Sequence, residues 1–345
     1  MTKRRGGGHR PAVAIGTADP DDVLNRTARA LGGDVTGLRE LKGGRSSLTY
    51  SAAWGGKTVV VKVAPGGLAP VRNRDVLRQA RLLSALGPVE GVAVPEVYGQ
   101  DAGDPPNVPP LFVMEFVPGE SYEPRHVDIP DTDRPAAEIV RARAAAAAEM
   151  LACLHAADPQ SLGLGDAPGT LAGELGRWRA AFESCTLEEK AARLEAECFR
   201  LLSATIPDAA RPSVLHGDWR LGNMQCVGAE IRAVIDWEIW SVGDPRLDLA
   251  WMRLMSDPGH PTILAPQAPS LDPDELQAVY EKASGAAVPD LPWFDALARY
   301  KQASASALLV KNAQKRGDDG PAIDKSRRGV PSLLAVAHAQ LTAGR

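Results

Sequence analysis

Val214–Trp251, VLHGDWRLGNMQCVGAEIRAVIDWEIWSVGDPRLDLAW, sets two carboxylates and an amide along an apolar scaffold. Asp218 follows His216-Gly217, Asn223 comes five positions later, and Asp236 thirteen after that. Between them Glu230 to Ile235 alternates into the apolar run Ala233-Val234-Ile235, which reads as a short buried strand. Acidic and amide groups near the ends of short strands suit Mg²⁺ bound together with a phosphate chain. Mg²⁺ takes hard oxygen ligands, few of them from protein and the rest from water and phosphate.

Upstream, Asp19-Pro-Asp-Asp offers capping acids for a helix over Val23 to Leu31, stopped by Gly32-Gly33. Leu38 to Leu41 and Leu48 to Trp54 read as strands flanking the tight loop Gly43-Gly44-Arg45-Ser46-Ser47. Gly55-Gly56 makes a hairpin turn into a third strand, Thr58 to Val63. The Gly/Ser loop can present backbone N–H groups and hydroxyls to phosphate oxygens, or be a plain turn. Lys62 stands alone among valines, so it either faces solvent or finds a partner, because unpaired buried charge is costly. A helix is expected over Arg74 to Leu86, ended by Gly87-Pro88, and an apolar strand over Leu111 to Val117, ended by Pro118-Gly119.

After that point the composition turns Ala-rich and helical. Helices are expected over Pro135–Ala157, Leu171–Glu183, Leu187–Leu202, Asp274–Ser284, Trp293–Lys315 and from Ser332 onward. His155, near the end of the first, reads as a capping or core histidine. The domain scheme is a disordered tail over 1–18, a small β-rich lobe over 19–117 and a larger helical lobe over 118–345.

The order of Gly/Ser loop, strand lysine, helix, apolar strand, helical lobe and acidic constellation resembles the two-lobed kinase architecture. HGDWRLGN (216–223), IDWE (235–238) and GDPRLDLAW (243–251) resemble the aminoglycoside phosphotransferase/choline kinase superfamily. With GGRSSLTY (43–50), the spelling looks closest to the phosphotransferase domain found alone in bacteria or fused to acyl-CoA dehydrogenases. The resemblance spans about residues 38 to 310. It implies an α+β, protein-kinase-like fold and a phosphoryl transfer that depends on positioning and charge neutralisation. In that scheme Asp218 takes or orients the proton of the acceptor hydroxyl, and Asn223 and Asp236 hold Mg²⁺. Lys62 contacts the α/β-phosphates, and Gly43, Gly44, Ser46 and Ser47 cover them. Backbone groups near Glu115 and Val117 bond the adenine edge, and His216 braces the catalytic loop. Asp244 and Asp248 are expected to bond local backbone or Arg groups, and Glu238 to steady its loop or approach substrate.

One departure matters. Kinases of this architecture pair the strand lysine with a glutamate on the next helix, and in RQARLLSAL (78–86) that position is Gln79. An amide bonds Lys62 without neutralising it, and Asp75, one turn earlier, is a candidate substitute.

The expected function is ATP- or GTP-dependent, Mg²⁺-assisted transfer of the γ-phosphoryl group to the hydroxyl of a small molecule, a hydroxyacyl-type metabolite or similar alcohol. Alternatives are an aminoglycoside or other antibiotic kinase and a non-catalytic nucleotide-binding module. A cationic aminoglycoside favours an acidic cleft, and Glu183, Glu188, Glu189, Glu195 and Glu197 supply either that or a solvated helix face. Among 345 residues, 39 basic and 43 acidic side chains leave a net charge of −4, which does not suit a general nucleic-acid binder. The four cysteines, Cys153, Cys185, Cys198 and Cys226, lack metal-site spacing and read as free thiols in a reducing compartment. With no secretory or membrane-spanning pattern, the expectation is a cytoplasmic protein with no membrane, nucleic-acid or obligate protein partner.

Overall fold

The computed structural model describes residues 18–41, 47–124, 134–261 and 270–343. They fall into two compact units. The first runs up to Ser84 and includes Glu96–Phe116; the second holds Ala85–Pro95 and everything from Val117 onward.

The first unit is a five-stranded antiparallel sheet with two helices. The strands are β1 (Val35–Glu40), β2 (Leu48–Trp54), β3 (Lys57–Val63), β4 (Val97–Asp101) and β5 (Leu111–Glu115), in the order β1-β2-β3-β5-β4. Helix α1 (Pro20–Leu31) starts on the Asp19 side chain, which accepts from Asp21 N, and ends at Gly32 in the left-handed region. β3 lies mid-sheet because its valines are apolar on both faces. Val59, Val61 and Val63 pack with Val23 of α1, Tyr50, Ala52, Leu111 and Val113. Each fully buried valine of this kind contributes about 1.5–3 kcal/mol. The two-residue period of a strand turns Lys62 to the opposite face. There its ammonium donates to Gln79 Oε1, 3.1 Å away on α2 (Val76–Leu86).

The second unit is mostly helical. Its elements in chain order are α3 (Ala137–Ala156), α4 (Leu171–Glu183), α5 (Glu189–Ala204), β6 (Ser213–Leu215), β7 (Met224–Val227), β8 (Glu230–Val234), β9 (Ser241–Gly243), α6 (Arg246–Ser256), α7 (Pro273–Ser284), α8 (Leu291–Arg316) and α9 (Pro321–Thr342). Leu175, Phe182, Trp251, Trp293, Phe294, Tyr300, Leu333 and Leu334 centre the helical core. β6 pairs with β9 and β7 with β8, both antiparallel. These short ribbons lie against α3, whose alanines let the loop between β6 and β7 approach its backbone. The Trp219 indole, fully buried, donates to Ala147 O at 3.1 Å. No helix among the described residues is long and apolar enough to cross a membrane.

Several elements depart from the sequence reading. The strand from Leu111 stops at Glu115, two residues short of Val117, where the chain passes between the units. A short 3-10 turn occupies Arg72–Arg74, and the regular helix begins at Val76 with Asp75 Oδ1 capping Arg78 N. α6 is not among the expected helices, because its first turns lie inside the GDPRLDLAW motif. α9 begins eleven residues before Ser332 and runs through Pro331, which reads as a breaker but sits between buried Val330 and Leu333.

Candidate active site

The β7–β8 hairpin explains the spacing of Asn223 and Asp236. Met224 faces Val234 in the ladder, and Ile235 N donates to Asn223 O at 2.8 Å. The two residues therefore flank the open end of one hairpin. The Asn223 amide nitrogen donates to Asp218 O at 2.8 Å and Asp218 Oδ2 at 2.9 Å, and its side-chain oxygen has no hydrogen bond among the described residues. Asp236 is exposed, and its carboxylate has no hydrogen bond or ion pair among the described residues. Its backbone is left-handed, at φ 66° and ψ 48°. A free carboxylate oxygen and a free amide oxygen fit Mg²⁺, which takes few protein ligands. Among the described residues, no group of three or more His, Cys, Asp or Glu could hold a metal ion.

Asp218 is gripped from three sides. Trp251 Nε1 donates to Oδ1 at 2.8 Å, while Arg220 Nε at 3.1 Å and Asn223 donate to Oδ2. The preceding backbone is fixed by Asp248 of α6, whose oxygens accept from His216 N at 2.6 Å and Gly217 N at 2.9 Å. Burial alone would raise the Asp248 carboxyl, but His155, then His216 and Lys301, hold it below its ordinary value. His155 itself meets Tyr280 OH at 2.9 Å. His216, fully buried, accepts Asp218 N on Nδ1 and so carries its proton on Nε2, which donates to Ile235 O at 2.9 Å. Gly217 is required: at φ 85° a side chain is strained, and a Cβ would meet Ile239 at 3.1 Å. Asp244 is closed in an ion pair with Arg246 at 2.7 Å.

A strap after the Val117 crossing braces the loop from the other side. Glu120 and Cys226 exchange backbone hydrogen bonds at 2.9 Å. Gly119 lets this happen, since a Cβ there would lie 2.8 Å from Cys226 O. Ser121 Oγ donates to Gly222 O, and Glu123 accepts from Arg220 NH1 at 3.1 Å. The Arg220 guanidinium is held firmly charged: burial opposes it, but Asp218 and Glu123 outweigh that cost.

Of the residues expected on the nucleotide side, Lys62 and Gln79 meet, and the second Gln79 amide atom, Nε2, is buried with no partner among the described residues. Asp75 is occupied as a helix cap. Ser47 is buried at the entry to β2. Glu115 N donates to Glu96 O at 2.8 Å, whereas the Val117 backbone has no hydrogen bond among the described residues. Gly43, Gly44 and Ser46 lie outside the described residues.

Sequence reasoning missed Trp251, Lys301, Arg220 and Glu123. Arg220 stood inside the motif and could have been noticed. Lys301, in the middle of α8, had no local signal. Its ammonium donates to Gly217 O at 2.7 Å and lies 4.1 Å from the centre of the Trp251 ring.

Compared with known protein families, residues 37–283 match the phosphotransferase enzyme family. The chain belongs to that family. Among curated relatives, acyl-CoA dehydrogenase family member 11 of Gallus gallus is 28% identical over 287 residues, covering 78% of this phosphotransferase-family chain and 36% of the relative. The chain thus spans about a third or less of the curated relatives it matches. This agrees with the resemblance to the domain fused to acyl-CoA dehydrogenases. Among solved structures, a Ralstonia eutropha chain provisionally called an aminoglycoside phosphotransferase superposes with a TM-score of 0.77 at 21% identity, covering 94% of this chain and 98% of that one. An aminoglycoside phosphotransferase in ternary complex with ADP and hygromycin B gives 0.61 at 15% identity, covering 92% and 98%. At these identities the likeness concerns the fold, which is α+β, two-lobed and protein-kinase-like.

Proposed function

We propose that this phosphotransferase-family chain is a small-molecule kinase that moves the γ-phosphoryl group of ATP or GTP to a hydroxyl, with Asp218 as the base. One observation carries the reading. Asp218, fixed by three N–H donors, lies within 2.9 Å of an amide whose free oxygen shares a hairpin end with an unpaired carboxylate. Phosphoryl transfer asks for little more than positioning and charge neutralisation, and a base beside a metal-competent pair supplies both.

In the mechanism, the acceptor hydroxyl donates to Asp218, whose orientation is set before substrate arrives. Asn223 and Asp236 would hold Mg²⁺, which when bound neutralises charge on the nucleotide phosphates. Lys62, on the sheet unit, is proposed for the α/β-phosphates, and the Val117 backbone for the base edge. Gln79 steadies Lys62 by a neutral hydrogen bond and leaves its charge for phosphate.

The second unit favours a metabolite alcohol over a polycationic antibiotic. The acids that would line an acidic cleft are taken up by arginines. Glu183 and Glu195 bond Arg179, Glu189 bonds Arg193, and Glu197 bonds Arg200. A cavity of about 520 Å³ among α5, α8 and α9 has Glu188 but also Lys311, Lys315 and Arg327 at its edge. Lys311 and Lys315 carry no ion pair among the described residues. The competing reading, a nucleotide-binding module without catalysis, draws only on Gln79.

A single assay separates the three. Mg-ATP is incubated with the chain and a panel of neutral and anionic hydroxy compounds and aminoglycosides, and phosphorylated product is followed by mass spectrometry. Product from a neutral or anionic alcohol is expected. Product confined to aminoglycosides would assign the antibiotic role, and ATP binding with no product and no hydrolysis the non-catalytic one.

A further inference from the structure

Lys301 lies in the middle of α8 with its ammonium between the Trp178 and Trp251 rings, a costly place for a charge. Burial pulls its ammonium below the ordinary lysine value. Glu174 of α4, Asp248 of α6 and Asp218 oppose that pull, and Arg177 of α4 adds to it. An apolar side chain of equal length would fill the same space without the charge. The ammonium does two things an apolar chain cannot. It donates to the carbonyl of Gly217, the residue before the base, at 2.7 Å. It also sits 4.1 Å from the centre of the Trp251 ring, an attractive cation–π contact. The far edge of that indole donates through Nε1 to Asp218 Oδ1 at 2.8 Å.

We propose that Lys301 and Trp251 are positioning residues for the reaction, a two-part clamp that fixes the catalytic carboxylate through its backbone and one oxygen. Lys301 holds the backbone on the N-terminal side of Asp218 and the face of the indole. The indole in turn sets the direction of Oδ1, so that Oδ1 meets the acceptor hydroxyl in one orientation. Neither residue touches the nucleotide in this scheme, so the clamp governs turnover and leaves nucleotide affinity alone. The inference rests on Asp218 being the base.

The test uses the full chain, Mg-ATP with water as the phosphoryl acceptor, and ADP titrated by calorimetry. Trp251→Phe keeps the ring beneath the ammonium and removes the N–H. Lys301→Met keeps the stem and removes the charge. Each is expected to lower kcat about ten- to a hundredfold while KM for ATP and ADP affinity stay close to the parent's; Tm stays close in Lys301→Met and falls modestly in Trp251→Phe, which empties part of the helical core. Lys301→Arg adds a readout that packing alone would not move. Parent kcat should fall at alkaline pH as Lys301 loses its proton, and Lys301→Arg should shift that fall upward, because a guanidinium stays charged. Unfolding does not imitate this. A buried lysine with a lowered value is a cost while charged, so its contribution to stability improves as pH rises through that value. Unchanged kcat in Trp251→Phe and Lys301→Met, or losses that follow Tm and ADP affinity, overturn the clamp. Asp218→Asn, run alongside, separates the two layers. If it abolishes turnover while the clamp variants do not, only the clamp is wrong. If it retains parental turnover, or the parent itself turns over no ATP, the base assignment falls and the clamp with it.

Discussion

Asp236 holds a left-handed backbone that L-residues rarely adopt, and Asp is among the few that tolerate it. Such a conformation is a reservoir of strain, kept where the surrounding structure demands it. Here the demand is geometric: the chain leaves β8 at Val234 and enters the Trp237–Ile239 turn while its carboxylate stays exposed. Two substitutions therefore divide cleanly. Asp236→Gly should lose Mg²⁺-dependent nucleotide binding while melting at or above the parental temperature, since Gly relieves the strain. Asp236→Ala should lose the same binding and melt lower, by strain of about 1–2 kcal/mol. Thermal melting without nucleotide, paired with Mg-ADP titration, checks both; equal melting of the two variants would contradict the strain argument. Asp218, Asn223 and Asp236 were legible because one loop and the hairpin after it encode them within nineteen residues. Glu123 was not, because its bond to Arg220 spans 97 positions and no local pattern announces such a contact.

α6 matters more than its length suggests. Asp248 in its first turn takes both backbone N–H groups of His216 and Gly217, so the helix pins the loop that carries Asp218. The folded value of this carboxyl lies below its ordinary 3.8. Its stabilisation is therefore present above that value and is lost as pH falls through the lower, folded one. Asp248→Asn offers only one acceptor oxygen for two donors and should cost about 1–3 kcal/mol near neutrality. Its stability should also fall less steeply below pH 4 than the parent's, by about the part that Asp248 supplies. Denaturant titrations at several pH values would show this, and parallel acid profiles for the two proteins would refute it. The elements carried by periodicity were readable: β2, β3, α4 and most of α8. α6 was hidden inside a motif, and the start of α9 behind Pro331. That proline is expected to cost a helix about 3 kcal/mol, and the apolar neighbours Val330, Leu333 and Leu334 offset it.

Over the whole chain, the two units divide the chemistry. The sheet unit carries Lys62 and its amide partner, and the helical unit carries the proposed base Asp218, the proposed metal pair Asn223 and Asp236, and the acids paired with arginines. The order of motifs made the division legible, because each is spelled by a short stretch on one element. The acceptor was not legible, because the side chains around Lys301 and around the cavity come from α4, α5, α8 and α9, distant in sequence. The central claim is that Asp218 serves the reaction and not the binding of nucleotide. The measurement that reaches it most directly is Mg-ATP affinity and phosphoryl transfer in Asp218→Asn. Affinity should stay close to the parental value while transfer falls by about a hundredfold or more. Transfer at the parental rate would contradict the claim.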